Sequence, residues 1–239
     1  MPDLTVDSHQ PSSALAVFAH PDDPEVSCAG TLALWADRGA AVHLVIVNRG
    51  EKGSRGQVVD PDTLASTRAD EVRAAAAVLG LAGVTLFGLP DGETENDLAL
   101  RGRLVEVVRA VQPEAVVCPD PTALYFGDHY VNHRDHRVVG YAVLDAVAPA
   151  AASPLYFPDA GPPHQVGLVY LSGTLEPDVA IDIRATVERK AEALACHRTQ
   201  LGDDPAWVDE LVAQRAADAG HAAGLAAAEA FRLLRLARQ

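Results

Sequence analysis

The 239-residue chain is poor in the features that mark several common classes of protein. Its three cysteines, Cys28, Cys118 and Cys196, are odd in number, far apart and without CxxC spacing. That pattern argues against a disulfide framework and against a cysteine-based zinc site, and predicts reduced, buried thiols. Positive charge is scarce: 19 Lys and Arg face 33 Asp and Glu, a net charge of −14. Such a surface disfavours nucleic acid and anionic membranes as broad electrostatic partners. No run approaches the ~20 apolar residues of a membrane span. Residues 1–13 are polar and acidic, without the basic and apolar regions of a signal peptide, so a cytoplasmic protein is expected. What the chain does have is 49% hydrophobic content, enough for a sizeable core. The expectation is one domain over residues 1–239, with 1–13 as a flexible extension. A homo-oligomer is compatible with the Ala-rich C-terminal segments, which are expected to be helical.

Apolar runs and turn signals alternate along the chain. Ala14 to Phe18, Ala41 to Val47, Val84 to Phe87, Ala115 to Cys118 and Val166 to Leu171 read as strands, several of them covered on both faces. Between them, Val26 to Arg38, Leu64 to Leu79 and Asp97 to Val111 read as helices. Ala148 to Pro163 reads as a loop, and Ala185 to Leu201 and Trp207 to Ala237 as helical, with a break near Gly220. The repeat of strand, loop and helix predicts an α/β fold with a mostly parallel sheet and helices on both faces. Ligands bind such sheets beyond the carboxyl ends of the strands. The segments that follow the first four strands all carry unusual chemistry, and all fall on that rim.

Ala19-His20-Pro21-Asp22-Asp23-Pro24-Glu25 places one imidazole and three carboxylates where a strand hands over to a helix. Helix capping accounts for one Asp, with Pro24 at the first helical position. It does not account for the rest, whose mutual repulsion a bound cation would offset. A second cluster, His133, Asp135 and His136, lies at the predicted start of another helix. Two imidazoles and a carboxylate drawn from the two clusters make a three-ligand set with a position left for water, the composition of catalytic zinc sites. Arg55 in the glycine-rich 48–61 loop and Asp91 in the Gly88–Gly92 turn are candidates for substrate contacts, with solvated loop charge as the equal alternative. Glu25 reads as a supporting residue in the helix's first turn, and His197 with Gln200 as a buried structural pair or a substrate contact.

The first cluster resembles the AHPDDxE signature of the PIG-L/LmbE-like de-N-acetylase family. Asn132-His133-Arg134-Asp135-His136 is similar to that family's second motif, usually His-Pro-Asp-His, with Arg134 where Pro is usual; beyond the first motif, Ala29 stands where Gly is common. The likeness continues through Arg49 to Gly53, Arg68 to Glu71, Leu89 to Gly92, Lys190 to Gln200 and Glu229 to Phe231. It implies a Rossmann-like fold, one Zn2+ per chain and hydrolysis of an N-acetyl group on an amino sugar. Carried over by position, it implies His20, Asp23 and His136 as metal ligands and Asp22 as general base acting on a zinc-bound water. It also implies His133, oriented by Asp135, as the acid and oxyanion partner.

Those roles suit amide hydrolysis, which needs an activated water and a polarised carbonyl. A sugar-binding or regulatory module on the same fold gains nothing from Asp22 beside the ligands. A two-metal phosphoesterase commonly needs a larger bridging carboxylate set than the chain shows. A deacylase acting on a glycosylated natural product or thiol conjugate remains a variant of the same chemistry.

Overall fold

A computed structural model describes residues 4–54, 59–202 and 206–237. The chain opens with β1 (Thr5–Val6), β2 (Ser13–Phe18), α1 (Asp23–Ser27), α2 (Ala29–Asp37) and β3 (Ala41–Asn48). It continues through α3 (Pro61–Leu79), β4 (Gly83–Leu89), α4 (Leu98–Val111) and β5 (Ala115–Pro119). A small hairpin, β6 (Tyr125–Phe126) and β7 (Tyr130–Val131), precedes α5 (Arg134–Asp145), which runs on into a π-helical stretch at Ala146–Ala151. The last part comprises β8 (Leu168–Ser172), β9 (Val179–Asp182), α6 (Val187–Leu194), α7 (Arg198–Leu201), α8 (Ala206–His221) and β10 (Ala228–Arg235).

Among the described residues, eight strands form one sheet in the order β1-β9-β10-β8-β5-β2-β3-β4. All neighbours are parallel except β10, which runs antiparallel to both β8 and β9. The mostly parallel α/β architecture expected from the sequence is therefore present. Alternation along β2 divides the core. Ala14, Ala16 and Phe18 pack with Leu32 and Trp35 of α2 and Val72 of α3. Leu15 and Val17 face the other way, against Leu104 and Val108 of α4 and Val139 and Val143 of α5. Side chains on a strand point to opposite faces in turn, so a strand buried on both sides reads as a continuous apolar run.

From β2 the chain crosses to β3 on one side, whereas β5 pairs with β2 on the other. The strand order reverses there, which opens a crevice at the carboxyl ends of β2 and β5. Gly140 lets α5 close over that crevice, since a Cβ at this position would overlap the Pro119 carbonyl at the end of β5.

Three expectations change. The C-terminal segment is not helical throughout: β10 occupies residues expected to continue a helix, and β9 was not foreseen. Residues 4–13 are tied down rather than extended, because β1 pairs with β9, the Tyr170 hydroxyl donates to Asp7, and His9 bonds Glu114. The segment from Val26 to Arg38 is two helices, α1 and α2, separated at Cys28. Cys28 and Cys118 are buried and Cys196 partly so, all three as free thiols.

Candidate metal centre

β2 delivers the chain to the rim at Ala19 and His20. Asp22 then takes a left-handed backbone conformation, φ 87° and ψ −24°, at the N-terminus of α1. Aspartate tolerates this region better than most residues. The turn is held by Arg68, a buried side chain of α3, whose guanidinium donates to the carbonyls of Pro21 (2.8 Å) and Gly50 (2.7 Å) and to Asp22 Oδ2 (3.3 Å). Gly50, at φ 69°, has no Cβ because one would strike this guanidinium.

The turn aims His20 and Asp23 at His136, which α5 presents across the crevice. His20 Nδ1 lies 3.2 Å from His136 Nε2. The Asp23 carboxylate reaches both, with Oδ1 3.1 Å from His136 Nε2 and Oδ2 3.4 Å from His20 Nδ1. Nitrogen and oxygen donors about 2.0–2.1 Å from a shared tetrahedral zinc stand about 3.4 Å apart. The spacing and the donor chemistry therefore fit a divalent ion. Two further sets, His20 with His133 and His136, and His20 with Asp91 and Asp135, also bring donor atoms within 4.8 Å of one another.

Electrostatics points the same way. Burial alone would push the His20 imidazole down, but hydrogen bonding to Asp135, Asp23 and Asp91 raises it to about 12. Burial would likewise raise the Asp23 carboxyl, yet His136 and His20 hold it far below the usual carboxylate range. So much negative charge around one imidazole is a place for a cation. Asp22 stands apart: burial and the adjacent Asp23 carboxylate push it up to about 7, against the pull of Arg68.

The surrounding groups orient the donors. His136 Nδ1 bonds Asn132 Oδ1 at 3.0 Å, and the Asn132 amide is fixed by donation to the Ala123 carbonyl at 2.7 Å. On the far side of His20, Nε2 faces Asp91 Oδ1 at 3.2 Å and Asp135 Oδ2 at 3.4 Å. Carboxylate–histidine–metal chains of this kind set the tautomer and the ring orientation.

Here the expected role of Asp135 changes. Its fully buried carboxylate accepts from the Asn48 amide and from the Gly92 backbone N–H (2.7 Å), and faces His20 rather than His133. The link from Asp135 to His133 is made by its backbone N–H, which donates to His133 Nδ1 at 3.2 Å as the cap of α5. Burial first, and then the His20 charge, hold the His133 imidazole below its ordinary value.

Asp91 is buried too, with its backbone N–H held by Glu51, and its carboxylate stands beside His20 rather than open to a sugar. Arg55 lies outside the described residues. Glu25 pairs with His197 (3.1 Å), and both are buried behind the turn. Gln200, expected as the partner of His197, donates instead to the Gly53 carbonyl. Asn48, Arg68 and Asn132 carried no role in the sequence. Arg68 and Asn132 lie in stretches that carry the family likeness, and Asn132 stands four residues before His136.

A cavity of about 770 Å³ opens on the metal donors. Asp22, Asp23 and His136 line it, with Asp120 after β5, Phe126 and Tyr130 of the hairpin, and Arg215 of α8.

Fold and site together define a class: an α/β protein with a candidate two-histidine, one-carboxylate metal centre at the carboxyl rim of its sheet. The family is specific. The model for GlcNAc-PI de-N-acetylase, PIG-L, matches residues 15–147, more than half of the chain, and the chain belongs to this family. It is 32% identical over 198 residues to 1D-myo-inositol 2-acetamido-2-deoxy-alpha-D-glucopyranoside deacetylase 2 of Saccharopolyspora erythraea, covering 72% of this chain and 68% of that protein. The N,N′-diacetylchitobiose deacetylase of Pyrococcus horikoshii superposes with a TM-score of 0.85 at 26% identity, over 94% of this chain and 84% of that one. A hydratase is also similar: the 4-carboxy-2-hydroxymuconate hydratase of Pseudomonas putida KT2440 has a TM-score of 0.77 at 26% identity, over 95% and 99%.

Proposed function

We propose that the protein is a zinc-dependent hydrolase that removes the N-acetyl group from an N-acetylglucosamine-containing small molecule or conjugate. The observation that carries this reading is Asp22, a carboxylate beside the donors that Arg68 holds outside their closest set. His20, Asp23 and His136 would hold the metal. Bound there, zinc would supply Lewis acidity to a water and to the amide carbonyl.

The chain's own residues account for the proton transfers. Asp22 accepts a proton from the attacking water as the water oxygen bonds to the amide carbon. Charge develops on the carbonyl oxygen. His133 meets it as a neutral donor, because its Nδ1 already accepts the Asp135 N–H at the start of α5, which leaves the ring proton on Nε2. An imidazolium would forfeit that cap and oppose the helix dipole. As the C–N bond breaks, Asp22 returns the proton to the departing nitrogen. The products are acetate and a free amine.

The likeness to a hydratase favours a second reading, addition of water to an unsaturated carboxylic acid. Against it, Arg215 is the sole Lys or Arg of the described cavity lining, alongside Asp22, Asp23 and Asp120. A substrate with several carboxylates calls for several cations. Elemental analysis should find one zinc per chain, and the loaded protein should release acetate from N-acetylglucosamine conjugates. Failure across a broad panel at full zinc occupancy overturns the deacetylase reading, and hydration of an unsaturated polycarboxylate would replace it.

A further inference from the structure

We infer that Asp120 is a specificity-determining residue that accepts a hydrogen bond from a donor, a hydroxyl or an ammonium, on the unit attached to the amino sugar. The inference rests on the deacetylase reading and deepens it.

Asp120 follows β5 and lines the cavity, yet it is only 4% exposed. Its backbone is fixed, since its N–H donates to the Ser172 carbonyl at 2.8 Å. Oδ1 is spent locally, on the backbone N–H of Thr122 at 2.8 Å and on the Thr122 hydroxyl at 2.6 Å. Oδ2 accepts from nothing among the described residues, and no cationic side chain pairs with the carboxylate. Nor is Oδ2 sealed within the protein. It is left to the cavity.

The other buried carboxylates are matched. Glu25, Asp91, Asp135 and Glu229 each face a histidine or a lysine, and Glu51 faces Arg49. Glu71 has no cation, but both its oxygens accept from Thr199. Among the described buried residues, Asp120 is the one carboxylate with an oxygen free and no cation beside it. A carboxylate taken out of water is costly unless hydrogen-bonded, so this oxygen is a place for a donor on a ligand.

Its position suits the far part of a substrate. Gly140 of α5 packs against the Pro119 carbonyl, one residue before Asp120. His136 lies one turn earlier on the same face of α5, about 5.4 Å along its axis. Asp120 therefore stands beyond the metal donors rather than among them. The Phe126 ring shares its wall, because a Cβ on Gly173, next to Ser172, would lie 3.9 Å from Phe126 Cζ. A ring face beside a carboxylate suits the C–H face of a polyol and also an organic ammonium. An analogue that lacks the donor leaves Oδ2 unmatched, which is how a polar site rejects it.

The test uses three N-acetylglucosaminides with ethyl, 2-hydroxyethyl or 2-aminoethyl aglycones, on zinc-loaded wild type, Asp120→Asn and Thr122→Val. Asparagine keeps an oxygen for Thr122 and turns an N–H donor toward the cavity in place of Oδ2. In wild type, kcat/KM for a donor-bearing substrate should exceed that for the ethyl glycoside about tenfold, through KM. The larger of the two ratios, hydroxyl or ammonium, identifies the donor. That ratio should fall to about one in Asp120→Asn and stay within about threefold in Thr122→Val, which loosens the turn but leaves Oδ2 free. Calorimetric binding of the three free-amine glucosaminides reads the same ratio without turnover. Ratios near one in wild type, or a ratio unmoved by Asp120→Asn, overturn the role of Asp120. A fall as large in Thr122→Val assigns the effect to the turn and overturns it too. Acetate from none of the substrates counts against the deacetylase reading, while the calorimetric ratio still decides Asp120.

Discussion

Replacing Asp22 with asparagine separates what this residue does chemically from what it costs structurally. Asparagine suits the left-handed backbone at φ 87° as well as aspartate does, so the turn should survive. In the native protein the carboxyl is raised from an ordinary 3.8 to about 7, by burial first and the Asp23 charge second. A group whose folded pKa is raised binds its proton more tightly in the native state than in the unfolded one. Its contribution to stability is then complete below about pH 4 and is lost as the pH rises through about 7. Each tenfold step in proton affinity is worth about 1.36 kcal/mol, so the ionised carboxylate costs the metal-free protein roughly 4 kcal/mol above pH 7. Asparagine cannot ionise. In urea titrations of the metal-free proteins, Asp22→Asn should gain on wild type by up to roughly 4 kcal/mol between about pH 4 and pH 8. Zinc should narrow the gap, because a cation beside the carboxylate favours its charged form. The same variant should keep its zinc and lose roughly 10²–10⁴-fold in acetate release. Wild-type kcat/KM should fall on the acid side as Asp22 takes up a proton. Parallel stability–pH curves for the two proteins refute the argument from burial, and wild-type-like turnover removes the base.

Asp135→Asn should weaken zinc binding by about 10–100-fold in competition with a chromogenic chelator, because the carboxylate faces His20. Unchanged affinity with an altered pH profile would return Asp135 to His133. Asn132→Ala should weaken zinc on the same scale, since it releases Nδ1 of His136. His133→Phe should lower kcat by about 10²–10³-fold without moving the acid limb of the pH profile, which belongs to Asp22. Arg109→Met tests the fold alone. The buried Arg109 guanidinium donates to the carbonyls of Ala150, Ala151, Ser153, Tyr156, Phe157 and Gly161. Its removal should cost about 3–5 kcal/mol by denaturant titration while zinc affinity holds.

The centre of the sheet was legible because burial on both faces writes itself as uninterrupted apolar runs, as in β2, β3 and β5. The edge was not. Ala228-Glu-Ala-Phe-Arg-Leu-Leu-Arg235 is built from good helix formers, and local preference favours a helix. It becomes β10 because the gap between β8 and β9 accepts a strand there, with Phe231 and Leu233 buried and Arg232 exposed between them. Glu229 adds a reason that no window of sequence contains. Its buried carboxylate pairs with Lys190 at 2.6 Å and accepts the backbone N–H groups of Gly30 and Thr31 at the start of α2. In that position tertiary contacts override propensity.

The site shows a finer version of the same division. The His133–His136 cluster looked like one unit because its members adjoin in sequence. Positions two apart on a helix do not face each other, whereas positions three or four apart do. That rule places His133 and His136 on one side with Asn132, and turns Asp135 away from His133. It was available from the sequence and would have corrected the pairing of Asp135 with His133. What Asp135 turns toward was not available. Asn48 ends β3, Gly92 lies in the turn after β4, and His20 follows β2, so the partners of one carboxylate come from three strand ends. Parallel strands bring those ends together, and only the strand order decides which of them meet. The residues of a rim site can therefore be read one segment at a time, while their division into metal donors, supports and base depends on the sheet. Asp22 illustrates this most directly. Beside Asp23 in sequence it looks like a duplicate ligand, and it is the crossing of α3, with Arg68, that holds it apart as the base we propose.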